Sequence, residues 1–140
     1  MNILVTGATG YIGKRLIPLL VNQGHHVICA VRDKMRADKS YFEDKHIDIV
    51  EVDFLKPQTL RNIPNNIDVA YYLIHSMSNS TNDFETLEEN CALNFKTCMK
   101  HTNVKQVIYL GGITNDENLS KHLKSRSKAG GLQTFAPKFI

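Results

Sequence analysis

The chain has 140 residues, a length that suits one packed domain, and 42% of them are hydrophobic, enough to build a core. A net charge of only +3 gives no argument for a nucleic-acid or membrane surface, and neither partner is expected; no apolar run approaches the about 18 residues of a membrane span. Cys29, Cys91 and Cys98 show no CxxC spacing and read as free thiols of a reducing compartment, so a cytoplasmic location is expected. The histidines are scattered over different stretches, and no metal site is expected.

The order of apolar stretches predicts alternating strands and helices. Asn2 to Thr6 is apolar on both faces, as a central parallel strand must be. Tyr11 to Asn22 carries Ile12, Leu16, Leu19 and Leu20 at helical spacing, with Pro18 as an internal irregularity and Gly24 as a stop. His26 to Val31 is a second strand. Ile47 to Val52 is a third whose strict alternation suggests one wet face or a sheet edge. Pro57 to Asn62 is a short helix, and Asp68 to Ile74 a fourth strand. Asp83 to His101 forms a long helix with Phe84, Leu87, Cys91, Phe95 and Cys98 as its apolar stripe. Val104 to Leu110 is a fifth strand, and Asn118 to Ala129 a last helix.

This alternation predicts an α/β fold of Rossmann type, a doubly wound parallel sheet of about five strands in the order 3-2-1-4-5. Residues 1–129 would form the dinucleotide-binding domain, and residues 130–140 an irregular tail. Ligands of such sheets bind beyond the strand carboxyl ends, at the switch between strands 1 and 4.

The glycines at 7, 10 and 13 sit at that point, between an apolar strand and an amphipathic helix. Gly7 allows the tight turn, Gly10 leaves room for a pyrophosphate, and Gly13 lets the helix approach the sheet. Thr9, Tyr11 and Ile12 complete the loop, and the exposed N–H groups at the helix start, with the helix dipole, favour negative phosphates. A dinucleotide fold brings the end of strand 2 to the adenosine ribose. Arg32 stands there, with Lys34 and Arg36 beyond it, and suits the 2′-phosphate of NADP. NAD is the alternative if Asp33 faces the ribose instead. Asp53 and Phe54 end strand 3, where an acid can meet the adenine amino group and the next side chain can flank the ring; a plain turn reading is equally open.

Thr6 to Gly13, Val31-Arg32, Asp53-Phe54, Val69 to Met77 and Tyr109 to Gly112 together resemble the extended and atypical short-chain dehydrogenase/reductase superfamily. The nearest branch is the NAD(P)H-binding, NmrA-like group, often labelled nucleoside-diphosphate-sugar epimerases. The resemblance covers about residues 1 to 128. It implies an NAD(P) cofactor, with Leu73, Ile74 and His75 near its middle, Gly111 near the nicotinamide, and a substrate bound in a C-terminal subdomain. It also implies a Tyr-x-x-x-Lys pair after strand 5, which this chain lacks. His122 and Arg126 take those two places, and His122 is the candidate acid–base group.

The expected function is therefore an NADP-dependent oxidoreductase or epimerase-like protein. A non-catalytic NADP-binding sensor or interaction module, or a truncated inactive fragment, stays open. The last eleven residues fit neither helix nor strand, and a C-terminal truncation is expected from them. The edge of strand 5, or the 83–101 helix, offers a surface for a homodimer.

Overall fold

In the computed structural model the described residues are 1–38, 40, 42–74 and 84–110. They form five strands, β1 (Asn2–Thr6), β2 (His26–Val31), β3 (Ile47–Glu51), β4 (Val69–Tyr72) and β5 (Gln106–Tyr109). Two helices, α1 (Tyr11–Asn22) and α2 (Phe84–Met99), and a 3-10 turn (Pro57–Asn62) connect them. All four strand pairings are parallel, and the order is β3-β2-β1-β4-β5, as the sequence predicts. β3 lies at one edge, which accounts for its alternating pattern.

The pleat sends alternate residues of β1 into two cores. Leu4 joins Ala70, Tyr72, Phe95 and Met99 on the α2 side. Ile3 and Val5 join Ile17, Leu20, Val27 and Cys29 on the α1 side. Full burial of side chains such as Leu4, Ile17 and Phe95 stabilises the fold by about 1.5–3 kcal/mol each before entropy is counted. Phe95 anchors the α2 side through tilted and edge contacts with Tyr72 and Phe54, at centroid distances of 4.7 and 5.7 Å.

Both helices bury only part of the predicted stripe: Leu20 and Phe95 are buried, and Leu16, Cys91 and Cys98 pack against the cores from partly exposed positions. In α1 the buried residues are Gly13, Ile17 and Leu20, while Leu19 is exposed and Ile12 lies open at the helix start. The helix runs unbroken through Pro18. It ends where Gly24 takes a positive φ of 80°, with His25 N–H donating to the Leu20 carbonyl and Gly24 N–H to that of Val21. In α2 the buried face is Glu88, Ala92, Phe95 and Met99. Leu87, Cys91 and Cys98 are only half-buried, one step round the helix. β4 is shorter than predicted because Leu73 and Ile74 have left the ladder, the Leu73 N–H donating to the Thr6 hydroxyl instead, and β5 covers only Gln106–Tyr109 of the predicted 104–110. The predicted helix at 118–129 and the tail at 130–140 lie outside the described residues, so the truncation is not tested by them. Among the described residues, no helix is long and apolar enough to cross a membrane. None of their His, Cys, Asp and Glu side chains cluster as a metal site would need.

Candidate functional site

A cleft of about 700 Å³ opens at the carboxyl ends of the strands, at the switch between β1 and β4. Its floor is the turn from β1 into α1, lined by Gly7, Thr9, Gly10, Tyr11, Ile12 and Gly13. Gly7 has φ 66°, and a Cβ there would lie 2.8 Å from the Leu73 carbonyl oxygen. At Gly13 a Cβ would lie 2.5 Å from the Gly7 carbonyl oxygen and 2.8 Å from Ala8. At Gly10 it would meet only the Gly7 oxygen, at 3.2 Å. Two glycines thus permit backbone to touch backbone, while the third keeps its open side toward the cleft.

α1 begins here with no side-chain cap and no acidic residue in its first turn. Gly10 N–H is taken by the Gly7 carbonyl, and the first intrahelical bond is from Lys14 N–H to the Gly10 carbonyl at 3.0 Å. The amides of Tyr11, Ile12 and Gly13 therefore have no acceptor within the helix, and with the helix dipole they suit an anion. Tyr11 is 73% exposed at the rim, and the Arg15 guanidinium stacks 3.5 Å from its ring centroid.

Thr6 fixes the opposite wall. Its hydroxyl donates to the Tyr71 carbonyl and accepts from Leu73 N–H, both at 3.1 Å. That pair of bonds ties the end of β4 to β1 and sets Leu73 and Ile74 along the cleft.

Arg32, just past β2, lines the cleft, and Asp33 does not. The Asp33 Oδ1 instead accepts from the backbone N–H of Met35 at 2.8 Å and of Arg36 at 3.3 Å, an Asx turn. Asp53, Phe54 and Leu55 close the far end. The Asp53 carboxylate accepts from Leu55 N–H at 3.0 Å and lies 3.7 Å from Lys56 Nζ. The Asn94 side-chain amide holds the Phe54 carbonyl at 2.6 Å. Phe54 is almost wholly buried, so Leu55, 43% exposed, offers the freer apolar face.

The cleft therefore gathers every predicted cofactor residue that the structure describes. His75, Gly111 and the candidate acid–base residue His122 lie outside the described residues. Sequence reasoning missed Leu55, Leu87 and Cys91, along with the backbone-level lining by Ala30, Val31 and Val52. Leu87 and Cys91 sit four residues apart on α2, and that spacing reads equally well as core. Burial pushes the Cys91 thiol up to about 11, Asp53 adds to the shift, and Arg32 opposes it. Cys29, sealed in the sheet, is pushed up to about 12, by burial and then by Asp48.

A glycine turn, an uncapped helix start and an apolar far wall at the switch point of a 3-2-1-4-5 sheet define a Rossmann-type dinucleotide-binding protein. Residues 7–135 match the family model described as NAD(P)H-binding, and the chain belongs to that family. It is 25% identical over 109 residues to the photosystem II assembly factor Ycf39 of Synechocystis sp., across 78% of this chain and 33% of that protein. It is 28% identical over 124 residues to an NmrA-like family domain-containing oxidoreductase, flvB, of Aspergillus flavus, across 86% of this chain and 39% of the relative. Among solved structures, the triphenylmethane reductase of Citrobacter sp. complexed with NADP(H) superimposes with a TM-score of 0.78 at 20% identity, over 94% of this chain and 45% of that one. A nucleoside-diphosphate-sugar epimerase of Staphylococcus aureus gives 0.77 at 19%, over 96% and 46%. The chain thus spans about a third of the length of these curated relatives and under half of these solved chains.

Proposed function

We propose that this chain is the cofactor-binding part of an NADP-dependent oxidoreductase. Loop 7–13 would hold the pyrophosphate and Arg32 the 2′-phosphate. Asp53, Leu55, Leu87 and Cys91 would surround the adenine, and Leu73 and Ile74 would run toward the nicotinamide. When bound, the cofactor supplies hydride chemistry. The described residues bind and orient it, and the residues at its reactive end, His75 and Gly111 among them, are assigned from the family resemblance.

The observation that carries the cofactor choice is the contrast between Arg32 and Asp33. Arg32 faces the cleft, and the Asp33 carboxylate is engaged by two backbone amides of its own turn. A guanidinium can hold a phosphate through two parallel hydrogen bonds, whereas a ribose hydroxyl is best read by an acid. Among the solved neighbours that share the fold, the Citrobacter triphenylmethane reductase is complexed with NADP(H) and the Bordetella bronchiseptica enzyme WbmG with NAD, so the choice rests on the residues of this chain.

Thermal melting with each nucleotide tests it. A ligand that binds only the native state, at about 100 times its Kd, adds about 2.7 kcal/mol of stability. NADPH is expected to raise Tm well above NADH at equal concentration, and Arg32→Ala to remove about 10- to 100-fold of NADPH affinity, as loss of a charge-assisted bond of about 1.5–3 kcal/mol implies. No shift with either nucleotide at millimolar concentration would sink the proposal, and a shift with NADH alone would reverse the cofactor choice.

A second reading, a non-catalytic NADP-binding module, is favoured by His122 and Arg126 standing where the superfamily resemblance implies a Tyr and a Lys. The two readings part on NADPH consumption in the presence of carbonyl and dye acceptors, expected only from an oxidoreductase.

A further inference from the structure

We infer that Asp33 and Glu51 are positioning residues for cofactor selection, an inference that rests on the NADP reading above. Three successive backbone amides follow Asp33, and each is held by a carboxylate of this chain. Glu51 Oε2 accepts from Lys34 N–H at 3.1 Å, and Asp33 Oδ1 accepts from Met35 and Arg36 N–H. Glu51 is well placed for this because it pairs in register with Val31 at the end of the edge strand. Its own backbone is held in turn, since the Asn62 side-chain amide donates to the Glu51 carbonyl at 2.8 Å. Beyond the turn, Ala37 and Phe42 bury into the α1-side core and anchor the other end.

The consequence is electrostatic as well as geometric. Asp33 follows Arg32 directly and Glu51 meets the Lys34 amide two positions on, and a free carboxylate beside a 2′-phosphate held by Arg32 would repel it. Turned onto backbone N–H groups, their charge is partly met and directed away. Arg32 is then the side chain at the end of β2 that lines the cleft. The same turn keeps Lys34 and Arg36 on its exposed surface, where they add positive potential. In this arrangement, the acid next to Arg32 does not read the ribose; it shapes the loop that lets Arg32 do so.

Substitutions that keep or remove the acceptor separate this from a simple charge effect. Asp33→Asn and Asp33→Ala lose the same charge, but only Asn retains an oxygen that can close the Asx turn. Glu51→Gln and Glu51→Ala form a second matched pair. The full chain of each variant is titrated with NADPH and with NADH, and its melting temperature recorded. We expect the Asn and Gln variants to keep the NADPH-to-NADH affinity ratio within about threefold of wild type. The Ala variants should lower it by about tenfold, mainly through NADPH, as expected when a hydrogen bond to a charged group no longer holds its geometry. Alanine variants that keep the wild-type ratio overturn the inference. So does an Asp33→Asn variant that loses NADH affinity tenfold, because its carboxylate would then be reading the ribose hydroxyl. A wild type that shows no preference for NADPH instead removes the NADP reading, and the inference falls with it; the wild-type titration therefore tells the two failures apart.

Discussion

Replacing the three loop glycines by alanine one at a time should give two kinds of damage. At Gly13 the new methyl would sit 2.5 Å from the Gly7 oxygen and 2.8 Å from two Ala8 backbone atoms, below any normal contact. Neither neighbour is the end of a flexible side chain, so α1 must move away from β1. Overpacking of that kind costs about 1–3 kcal/mol even where side chains can yield, so Gly13→Ala belongs at or above the upper end. At Gly7 a left-handed backbone costs a non-glycine residue about 1–2 kcal/mol, and the 2.8 Å approach to the Leu73 oxygen adds to it. Gly10 is different. Its φ of −75° and ψ of 170° suit any residue, and a methyl there meets one atom at 3.2 Å. The gain of about 0.4–1 kcal/mol from a stiffer unfolded chain roughly offsets alanine's poor N-cap preference. Urea unfolding should therefore place Gly10→Ala within about 1 kcal/mol of wild type, with the Gly7 and Gly13 variants lower by about 2 kcal/mol or more. NADPH titration should reverse the order of interest: Gly10→Ala folds but binds about 10- to 100-fold more weakly, since the methyl holds a phosphate off the helix amides. A Gly10→Ala variant that binds like wild type would refute the assignment of its open side to the phosphates. A Gly13→Ala variant as stable as wild type would refute the packing argument.

Two further outcomes follow from a sealed hydroxyl and a half-buried thiol. The Tyr72 hydroxyl is sealed from solvent and meets no hydrogen-bond partner among the described residues, while its ring packs between Phe95 and Tyr109. Tyr72→Phe keeps the ring and removes the cost of that hydroxyl, so urea unfolding should show unchanged stability or a gain of up to about 1 kcal/mol; a loss beyond that would reveal a bond that the hydroxyl makes. The second concerns Cys91: with its thiol pushed up to about 11, only about 0.1% is thiolate at pH 8, so alkylation followed by peptide mapping should speed up about tenfold per pH unit up to pH 10. NADPH should slow that reaction at Cys91, and a rate that levels off below pH 9 would contradict the burial of the thiol.

How much could be read from the sequence depended on whether local chemistry was enough. β1 and β2 are apolar on both faces, and a strand buried on both sides has one place in a parallel sheet, the interior. The glycine spacing gave the floor of the cleft for the same reason, since each glycine answers a backbone requirement within a few residues of itself. The helix faces were harder. In α1, Leu19 looks like core but points to solvent, because Gly13, whose close approach fixes the helix against β1, selects Ile17 and Leu20 as its neighbours on that face. In α2, Glu88 takes a buried position that composition assigns to an apolar residue. The face is turned so that Leu87 and Cys91 reach the cleft. A hydrophobic stripe fixes a helix's rotation only to within about one residue, 100° of turn. That one residue decides whether Leu87 and Cys91 are wholly core or also line the cleft, as they do here.

The Arg32–Asp33 pair shows the same limit at atomic scale. Both residues lie just past the end of β2, where the strand's alternation no longer decides which of them lines the cleft. The sequence holds both outcomes, a basic residue for a phosphate and an acid for a hydroxyl. What separates them is a local preference that sequence can express: an Asp followed two and three residues on by available amides closes an Asx turn. Asp33 does so, and Arg32 is left on the cleft side. The contribution of Glu51 could not have been found this way. It lies seventeen positions further on, and it reaches Lys34 because β2 and β3 pair with Val31 opposite Glu51. A one-residue slip in that register would turn Glu51 to the other face of the sheet and leave Lys34 N–H without it. On the proposed reading the selectivity of the cleft would depend partly on strand register, which is why the acceptor-keeping and acceptor-deleting variants at Glu51 are the sharper half of the test.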